Sequence, residues 1–177
     1  MMLKVAVIIG NPQPNSRTGK IAEMVAKTLL VGQPVDIAVI ELADYASELF
    51  SRDSKRAAGL AEQVASCDLV VFASPTYKAC FTGLLKAFLD RYDNNGLRGV
   101  TAIAVMTGGN AAHELAPTVT LVPLLMELGA IVPVKGLFFV VGEGADLEAL
   151  VGSQGQELRL AFGRLAKLSS AFLPAAA

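Results

Sequence analysis

The chain has 177 residues, of which 53% are hydrophobic and 18% are charged. This length predicts a single domain over residues 1–177 with a sizeable core, and the composition excludes a disordered chain.

The net charge of −1 and the absence of a basic run argue against a nucleic-acid partner. No apolar run approaches the ~18–20 residues that span a bilayer. Two cysteines are too few for a disulfide framework and fit no zinc spacing. We therefore expect a cytoplasmic protein with no membrane contact and no metal site.

Short apolar runs, rich in β-branched residues, alternate along the chain with longer segments of helical period. Near-continuous hydrophobicity is typical of strands that are buried on both faces of a parallel sheet. The predicted strands, in chain order, are residues 3–9, 35–40, 69–73, 100–106 and 131–141. The predicted helices are residues 17–30, 54–66, 79–91, 111–128 and 147–172. This alternation predicts an α/β fold, a doubly wound five-stranded parallel sheet with helices on both faces.

The loop after the first strand has the composition of an anion site. Ser16 is a favourable N-cap, and Arg17 and Thr18 follow it in the first turn of the predicted helix. A helix N-terminus with free N–H groups, hydroxyls and one arginine suits a phosphate dianion. Pro14 and Ile21 break the P-loop pattern, and no G-x-G-x-x-G follows the strand. The alternative is a polar strand-to-helix turn with an ordinary cap.

Two further loops reach the same predicted edge, because ligands of doubly wound sheets bind beyond the carboxyl ends of the strands. The third strand is followed by Pro75, Thr76, Tyr77 and Lys78. This segment offers an aromatic wall for a flat ligand; alternatively, Tyr77 covers the edge of the core. The fourth strand is followed by Thr107, Gly108 and Gly109. These glycines either expose backbone N–H groups to a ligand or form a plain turn.

A single histidine, His113, lies shortly after the glycine pair. No motif ties it to a serine, a cysteine or a carboxylate, so neither a catalytic triad nor a metal site is predicted. We expect it to cap the following helix or to border the ligand. The sequence predicts no catalytic side chain.

Taken together, the three loops resemble the NAD(P)H-dependent FMN reductase family of flavodoxin-like proteins. The resemblance covers about residues 3–141 and is closest to the branch that serves two-component alkanesulfonate-type monooxygenases. The segments that carry it are Gly10…Pro12…Ser16-Arg17-Thr18, Pro75-Thr76-Tyr77-Lys78-Ala79…Gly83-Leu84-Leu85-Lys86…Asp90 and Thr107-Gly108-Gly109…Ala112-His113.

The resemblance implies a flavodoxin-like fold, FMN as the cofactor and NAD(P)H as the reductant. By it, Ser16, Arg17 and Thr18 would hold the FMN phosphate, and residues 75–78 would lie along the isoalloxazine ring. Gly108 and Gly109 would donate to the pyrimidine edge of the ring. The remaining cofactor-binding residues would be Asn11, Thr107 and His113. Hydride transfer from the nicotinamide C4 to the flavin N5 needs no acid or base from the protein.

The chain departs from the family pattern at two places. The family often has Gly-Ser and a further arginine in the phosphate loop, where this chain has Gly10-Asn11 and Gln13. In the sulfonate branch, a tyrosine associated with flavin release commonly follows the histidine by six residues. That position is Val119 here, with Pro117 two residues before it. The loss of the tyrosine favours firmer retention of the flavin.

The sequence supports three alternative functions and predicts that the protein forms a homo-oligomer. The leading interpretation is a flavin reductase that passes reduced flavin or electrons to a monooxygenase or another acceptor. The second is an FMN-retaining quinone, azo-dye or metal-oxyanion reductase. The third is a flavodoxin-type electron carrier, although such carriers are usually strongly acidic. The predicted helix at 111–128 is apolar nearly all round, which predicts a homodimer or homotetramer.

Overall fold

The computed structural model describes residues 2–172 and contains a five-stranded parallel sheet. Met1 and residues 173–177, which the predicted domain includes, lie outside the described residues. The strands are β1 (Leu3–Ile9), β2 (Val35–Glu41), β3 (Leu69–Pro75), β4 (Thr101–Gly108) and β5 (Leu137–Val140). Their spatial order, β2-β1-β3-β4-β5, is the flavodoxin-like order, which confirms the predicted fold class.

Helices cover both faces of this sheet. They are α1 (Arg17–Leu29), α2 (Lys55–Ala65), α3 (Gly83–Leu89), α4 (Val122–Glu127) and α5 (Leu147–Phe172). Helices α1 and α5 pack on one face, and α2, α3 and α4 pack on the other. In β1, Val5, Val7 and Ile9 point to the α1 side, and Ala6 and Ile8 point to the opposite side. Both sets are buried, which explains why the strand lacks polar alternation. Within residues 2–172, no helix combines the length and hydrophobicity needed to cross a membrane.

Hydroxyl side chains set the first residue of three helices. Ser16 accepts a hydrogen bond from the Gly19 N–H at 3.1 Å, as predicted, and Ser54 caps α2 in the same way. The third helix was predicted to begin at Ala79, but it begins at Gly83 after the N-cap Thr82. The predicted start is wrong because Lys78 and Ala79 have φ angles of 52° and 62°, which a right-handed helix excludes.

The segment 111–128 is not the single helix that its composition predicts. It consists of a 3₁₀ turn (Ala111–His113), a π-helical turn (Pro117–Leu121) and the short helix α4. Pro117 lacks the N–H of a regular helix, and it stands where the π-helical turn begins. One side of the segment is buried through Leu121, Leu125 and Leu128, and the other side exposes Leu115, Val119 and Met126. The apolar residues therefore divide between the core and the surface.

The last strand is shorter than predicted. Only residues 137–140 pair continuously with β4, while Ile131 makes a single bridge to Thr101. Gly136 precedes the strand and packs directly against Pro117. A β-carbon at Gly136 would lie 2.6 Å from the carbonyl carbon of Pro117, so the π-helical turn depends on a glycine at this position.

We predict that Gly136→Ala lowers the free energy of unfolding by about 1–3 kcal/mol, because the added methyl group meets backbone that cannot move without shifting the π-helical turn. Gly142→Ala is the matched control, since a β-carbon there has open space around it. It should change stability by less than about 0.5 kcal/mol. Urea denaturation measures both variants, and equal stabilities would show that the contact is unimportant.

Candidate functional site

The three loops that the sequence singled out meet at the carboxyl edge of the sheet. The Gly10 N–H donates to the Ala73 carbonyl at 2.7 Å, and the Thr76 N–H donates to the Thr107 carbonyl at 2.8 Å. The Thr82 hydroxyl, at the start of α3, donates to the Gly10 carbonyl at 2.6 Å. These bonds join the ends of β1, β3 and β4, so the three loops form one contiguous surface.

The N-terminus of α1 lies on this surface and offers an anion site. Ser16 occupies its own cap position, but the N–H groups of Arg17 and Thr18 donate no hydrogen bond to any described residue. Unpaired N–H groups at the positive end of a helix dipole attract a negative charge. No Asp or Glu stands in the first turn of α1 to satisfy them. A phosphate group suits this position.

Arg17 lies at the rim of the anion site. Its guanidinium donates to the carbonyls of Val141 and Gly142, the latter at 3.0 Å. The side chain is exposed, and it ties the first turn of α1 to the segment after β5. Arg17, the cation predicted to bind the phosphate, therefore lies beside the N-terminus of α1, but it already donates hydrogen bonds to two backbone carbonyls.

Thr18 points into the protein instead of towards the surface. Its hydroxyl lies 2.7 Å from the Thr107 hydroxyl, and both residues are 2% exposed. The Asn11 amide donates to the same Thr18 oxygen at 3.3 Å, and the Asn11 carbonyl oxygen accepts from the Gln13 N–H. Thr18, Thr107 and Asn11 thus fix the loops to one another. Of these three predicted binding residues, Thr18 retains a free backbone N–H as its donor to a ligand.

The loop after β3 is a two-residue hairpin. The Tyr77 N–H donates to the Cys80 carbonyl at 2.8 Å, and the Cys80 N–H returns a bond at 3.1 Å. Lys78 and Ala79 occupy its two left-handed positions, which usually hold Asn and Gly. Left-handed backbone costs about 1–2 kcal/mol per non-glycine residue, so the surrounding structure must impose this turn. The Tyr77 ring, 51% exposed, stands beside it.

A buried hydroxyl at this edge lacks a partner. Thr76 Oγ1 is inaccessible to solvent and finds no hydrogen-bond partner among the described residues. Its neighbours are paired, since Ser74 Oγ accepts from the Thr82 N–H at 2.9 Å. Buried polar groups in folded proteins are almost always hydrogen-bonded, so the unpaired Thr76 hydroxyl is an exception at this edge of the sheet.

Gly108, the last residue of β4, and Gly109, which follows it, have different roles. A β-carbon at Gly108 would lie 2.7 Å from the Phe138 ring, so Gly108 is required for packing. A β-carbon at Gly109 would meet nothing within 4 Å, which leaves its backbone open to a ligand. His113 is exposed on the following 3₁₀ turn. It lines a largely apolar cleft of about 400 Å³ between Ala79 and residues 111–119.

Sequence reasoning missed one residue at this edge, Glu41 at the end of β2. Its Oε1 accepts from the Asn15 N–H at 3.1 Å, and its Oε2 is buried without a partner among the described residues. Burial raises the pKa of Glu41, the Asn15 bond opposes that rise, and repulsion from Asp44 and Glu23 adds to it. An acidic residue directly after an apolar strand was the signal that could have found it.

A 2-1-3-4-5 parallel sheet defines a flavodoxin-like fold, and the free N–H groups at α1 and the loops after β3 and β4 lie at the edge where such folds bind their ligands. Residues 3–145 match the family model described as NADPH-dependent FMN reductase. The chain belongs to this family, which confirms the resemblance seen in its three loops.

Relatives and solved structures agree with this assignment. An FMN reductase (NADPH) of Escherichia coli is 33% identical over 139 residues, covering 77% of this chain and 72% of the relative. An NADH-dependent FMN reductase of Pseudomonas fluorescens is 30% identical over 171 residues, covering 94% and 91%. The solved structure of an NADH:FMN oxidoreductase is 29% identical, with a TM-score of 0.77 over 90% of this chain and 89% of that one.

The predicted activity is thereby confirmed: the protein is an oxidoreductase that uses NAD(P)H to reduce FMN. The residues at the edge of the sheet fit this flavin. Unpaired N–H groups at α1 suit its phosphate, and the open Gly109 backbone suits the polar edge of its ring. Which residues contact the flavin stays a prediction.

We predict that Thr18→Val destabilises the fold by about 1–3 kcal/mol, because the Thr107 hydroxyl is left buried with no partner. Thr18→Val/Thr107→Val should be less destabilised than the sum of the two single variants, since it removes both hydroxyls. Thermal unfolding of the full double-mutant cycle measures this coupling. Thr28→Val, further along α1, is the control; additive effects would argue against the hydroxyl pair as the link between the loops.

Proposed function

We propose that the three loops form a single FMN site, with the phosphate at the N-terminus of α1 and the ring between the loops after β3 and β4. The observation that carries this proposal is that unsatisfied polar groups concentrate at one edge. They are the N–H groups of Arg17 and Thr18 and the open backbone at Gly109, with the buried, unpaired Thr76 hydroxyl at the same edge. The backbone N–H groups are donors suited to oxygens of the flavin phosphate and ring.

The protein's contribution to the reaction is positioning. Held by the N–H groups at α1 and by the loops after β3 and β4, FMN would supply the hydride-accepting chemistry of the reaction with NAD(P)H. The hairpin at Tyr77–Cys80 offers a rigid wall for the ring, because paired backbone bonds hold it. Gly109 allows the close approach that a side chain would block. His113 borders the site, and no side-chain acid or base is required.

We further propose that FMN is exchangeable and that reduced flavin passes to a monooxygenase or another acceptor. Arg17 is the single cation predicted for the phosphate, and its donors are shared with the carbonyls of Val141 and Gly142. Such a site favours moderate affinity. We also propose a cytoplasmic location, because free thiols such as Cys67 and Cys80 stay reduced there.

The alternative function is an FMN-retaining reductase of a small acceptor. The cleft of about 400 Å³ between Ala79 and residues 111–119 supports it, because alanines line much of it and a flat apolar acceptor such as a quinone would fit. Val119 lines this cleft in place of the family's tyrosine. The π-helical turn at Pro117–Leu121 nevertheless retains a helix irregularity there, so the loss of the tyrosine is weaker support for retention.

We predict that Arg17→Ala weakens FMN binding by about 1.5–3 kcal/mol, the range for hydrogen bonds to charged groups, and leaves riboflavin binding unchanged. Lys20→Ala removes a cation one turn along the same helix and should alter neither ligand. Fluorescence titration with both flavins measures these affinities. An equal loss for FMN and riboflavin, or no loss for either, would exclude Arg17 from the phosphate site.

We also propose a homodimer or homotetramer. The segment 111–131 exposes four large apolar side chains, and Leu115, Val119, Met126 and Ile131 are each more than half exposed. Patches of this kind usually mark protein contacts. Light scattering at micromolar concentration should give two or four times the chain mass of 18.5 kDa. A mass equal to one chain would end this proposal.

A further inference from the structure

Glu41 lies directly behind the proposed phosphate site. It is the last residue of β2 and pairs with Ile9, the last residue of β1. A β-carbon at Gly19, in the first turn of α1, would lie 3.5 Å from Glu41 Oε1. The carboxyl group is therefore packed under the helix end that offers its N–H groups to an anion.

Through one oxygen, Glu41 holds the backbone of the first loop. Oε1 accepts from the N–H of Asn15, whose φ of 57° is left-handed. Asn15 immediately precedes Ser16, the N-cap of α1. By fixing the left-handed residue, Glu41 sets the direction from which the chain enters the helix, and with it the orientation of the first free N–H groups.

A negative charge on the other oxygen of Glu41 is not stabilised by any described residue. Oε2 is buried and has no partner among the described residues. The charged groups acting on it, Glu23 on α1 and Asp44 on the turn after β2, are both acidic. On the packed side β1 presents apolar Ile9. Of the basic residues at the start of α1, Arg17 bonds to the segment after β5, and Lys20 is exposed without an ion pair among residues 2–172.

A negative charge here opposes a phosphate dianion at the same loop. Two negative groups that share one site disfavour each other's ionised form. Protonation of Glu41 removes this repulsion and keeps Oε1 available to accept from Asn15. A bound phosphate and a protonated Glu41 therefore favour each other.

We propose that Glu41 is a positioning residue that links phosphate binding to proton uptake, so that FMN is held more firmly at low pH and released more readily as the pH rises. The inference rests on the proposed placement of the phosphate at α1. It gives the enzyme a means of limiting its affinity for FMN in a pH-dependent way, without an effect on riboflavin. The bond to Asn15 preserves the loop in either protonation state.

The experiment measures dissociation constants of FMN and of riboflavin between pH 5.5 and 8.5, for the wild type and for Glu41→Gln. Glutamine keeps the acceptor for Asn15 and removes the charge. At the upper end of this range we expect Glu41→Gln to bind FMN about threefold to tenfold more tightly and riboflavin equally well. The gain should shrink towards low pH, and the pH dependence left in the variant should be that of the phosphate itself, with a pKa near ~6.

Glu62→Gln, on the opposite face of the sheet, is the matched control and should behave as the wild type at every pH. If Glu41→Gln shows the same preference for FMN over riboflavin as the wild type at every pH, the role of Glu41 is overturned and the placement of the phosphate stands. Equal affinity of the wild type for FMN and riboflavin would overturn the phosphate placement and this inference together.

Calorimetry in buffers of different ionisation enthalpy provides a second test, because it counts the protons taken up when each flavin binds. Between pH 5.5 and 8.5 we expect the wild type to take up more protons than Glu41→Gln when FMN binds, while riboflavin gives the same value for both proteins. Equal proton uptake by the two proteins with FMN at every pH would overturn the linkage.

Discussion

The candidate site depends on the close contact between Gly10 and the start of α3. A β-carbon at Gly10 would lie 2.6 Å from Leu85 Cβ, so only glycine allows the two elements to approach this closely. At the same point the Gly10 carbonyl accepts from Thr82, and the Gly10 N–H donates to Ala73. This junction brings the phosphate loop beside the loop after β3. Without it, the anion site at α1 and the hairpin would not belong to one surface.

The sequence predicted the parts of the fold that local pattern determines. The run at residues 3–9 is apolar at nearly every position because both faces of β1 are covered, and its bounds were predicted correctly. Ser16 was predicted as an N-cap because its hydroxyl can reach the first helical turn, and it does so. The flavodoxin-like fold was implied by the resemblance of three loops to one family, and the five-stranded parallel sheet has that fold.

Three features of the structure were not predicted from the sequence pattern. Lys78 and Ala79 carry no turn signal, yet the bonds between Tyr77 and Cys80 hold them in a left-handed hairpin. The regular apolar spacing of 111–128 concealed a π-helical turn that packs on Gly136, a residue far along the chain. Glu41 acts on the first loop through its hydrogen bond to Asn15, which lies 26 residues before it in the chain. The π-helical turn and the position of Glu41 depend on contacts between separate segments of the chain, and the hairpin depends on left-handed backbone that Lys78 and Ala79 do not signal.

The most direct test of this account is the oxidation of NAD(P)H by protein from which all flavin has been removed, followed anaerobically as free FMN is added. The account predicts no oxidation without FMN, a rate that rises with FMN and saturates, and reduced FMN recovered in the ultrafiltrate. A flavin that stays on the protein and needs a second acceptor for turnover would support the FMN-retaining alternative. NAD(P)H that remains unoxidised at every FMN concentration would contradict the account itself.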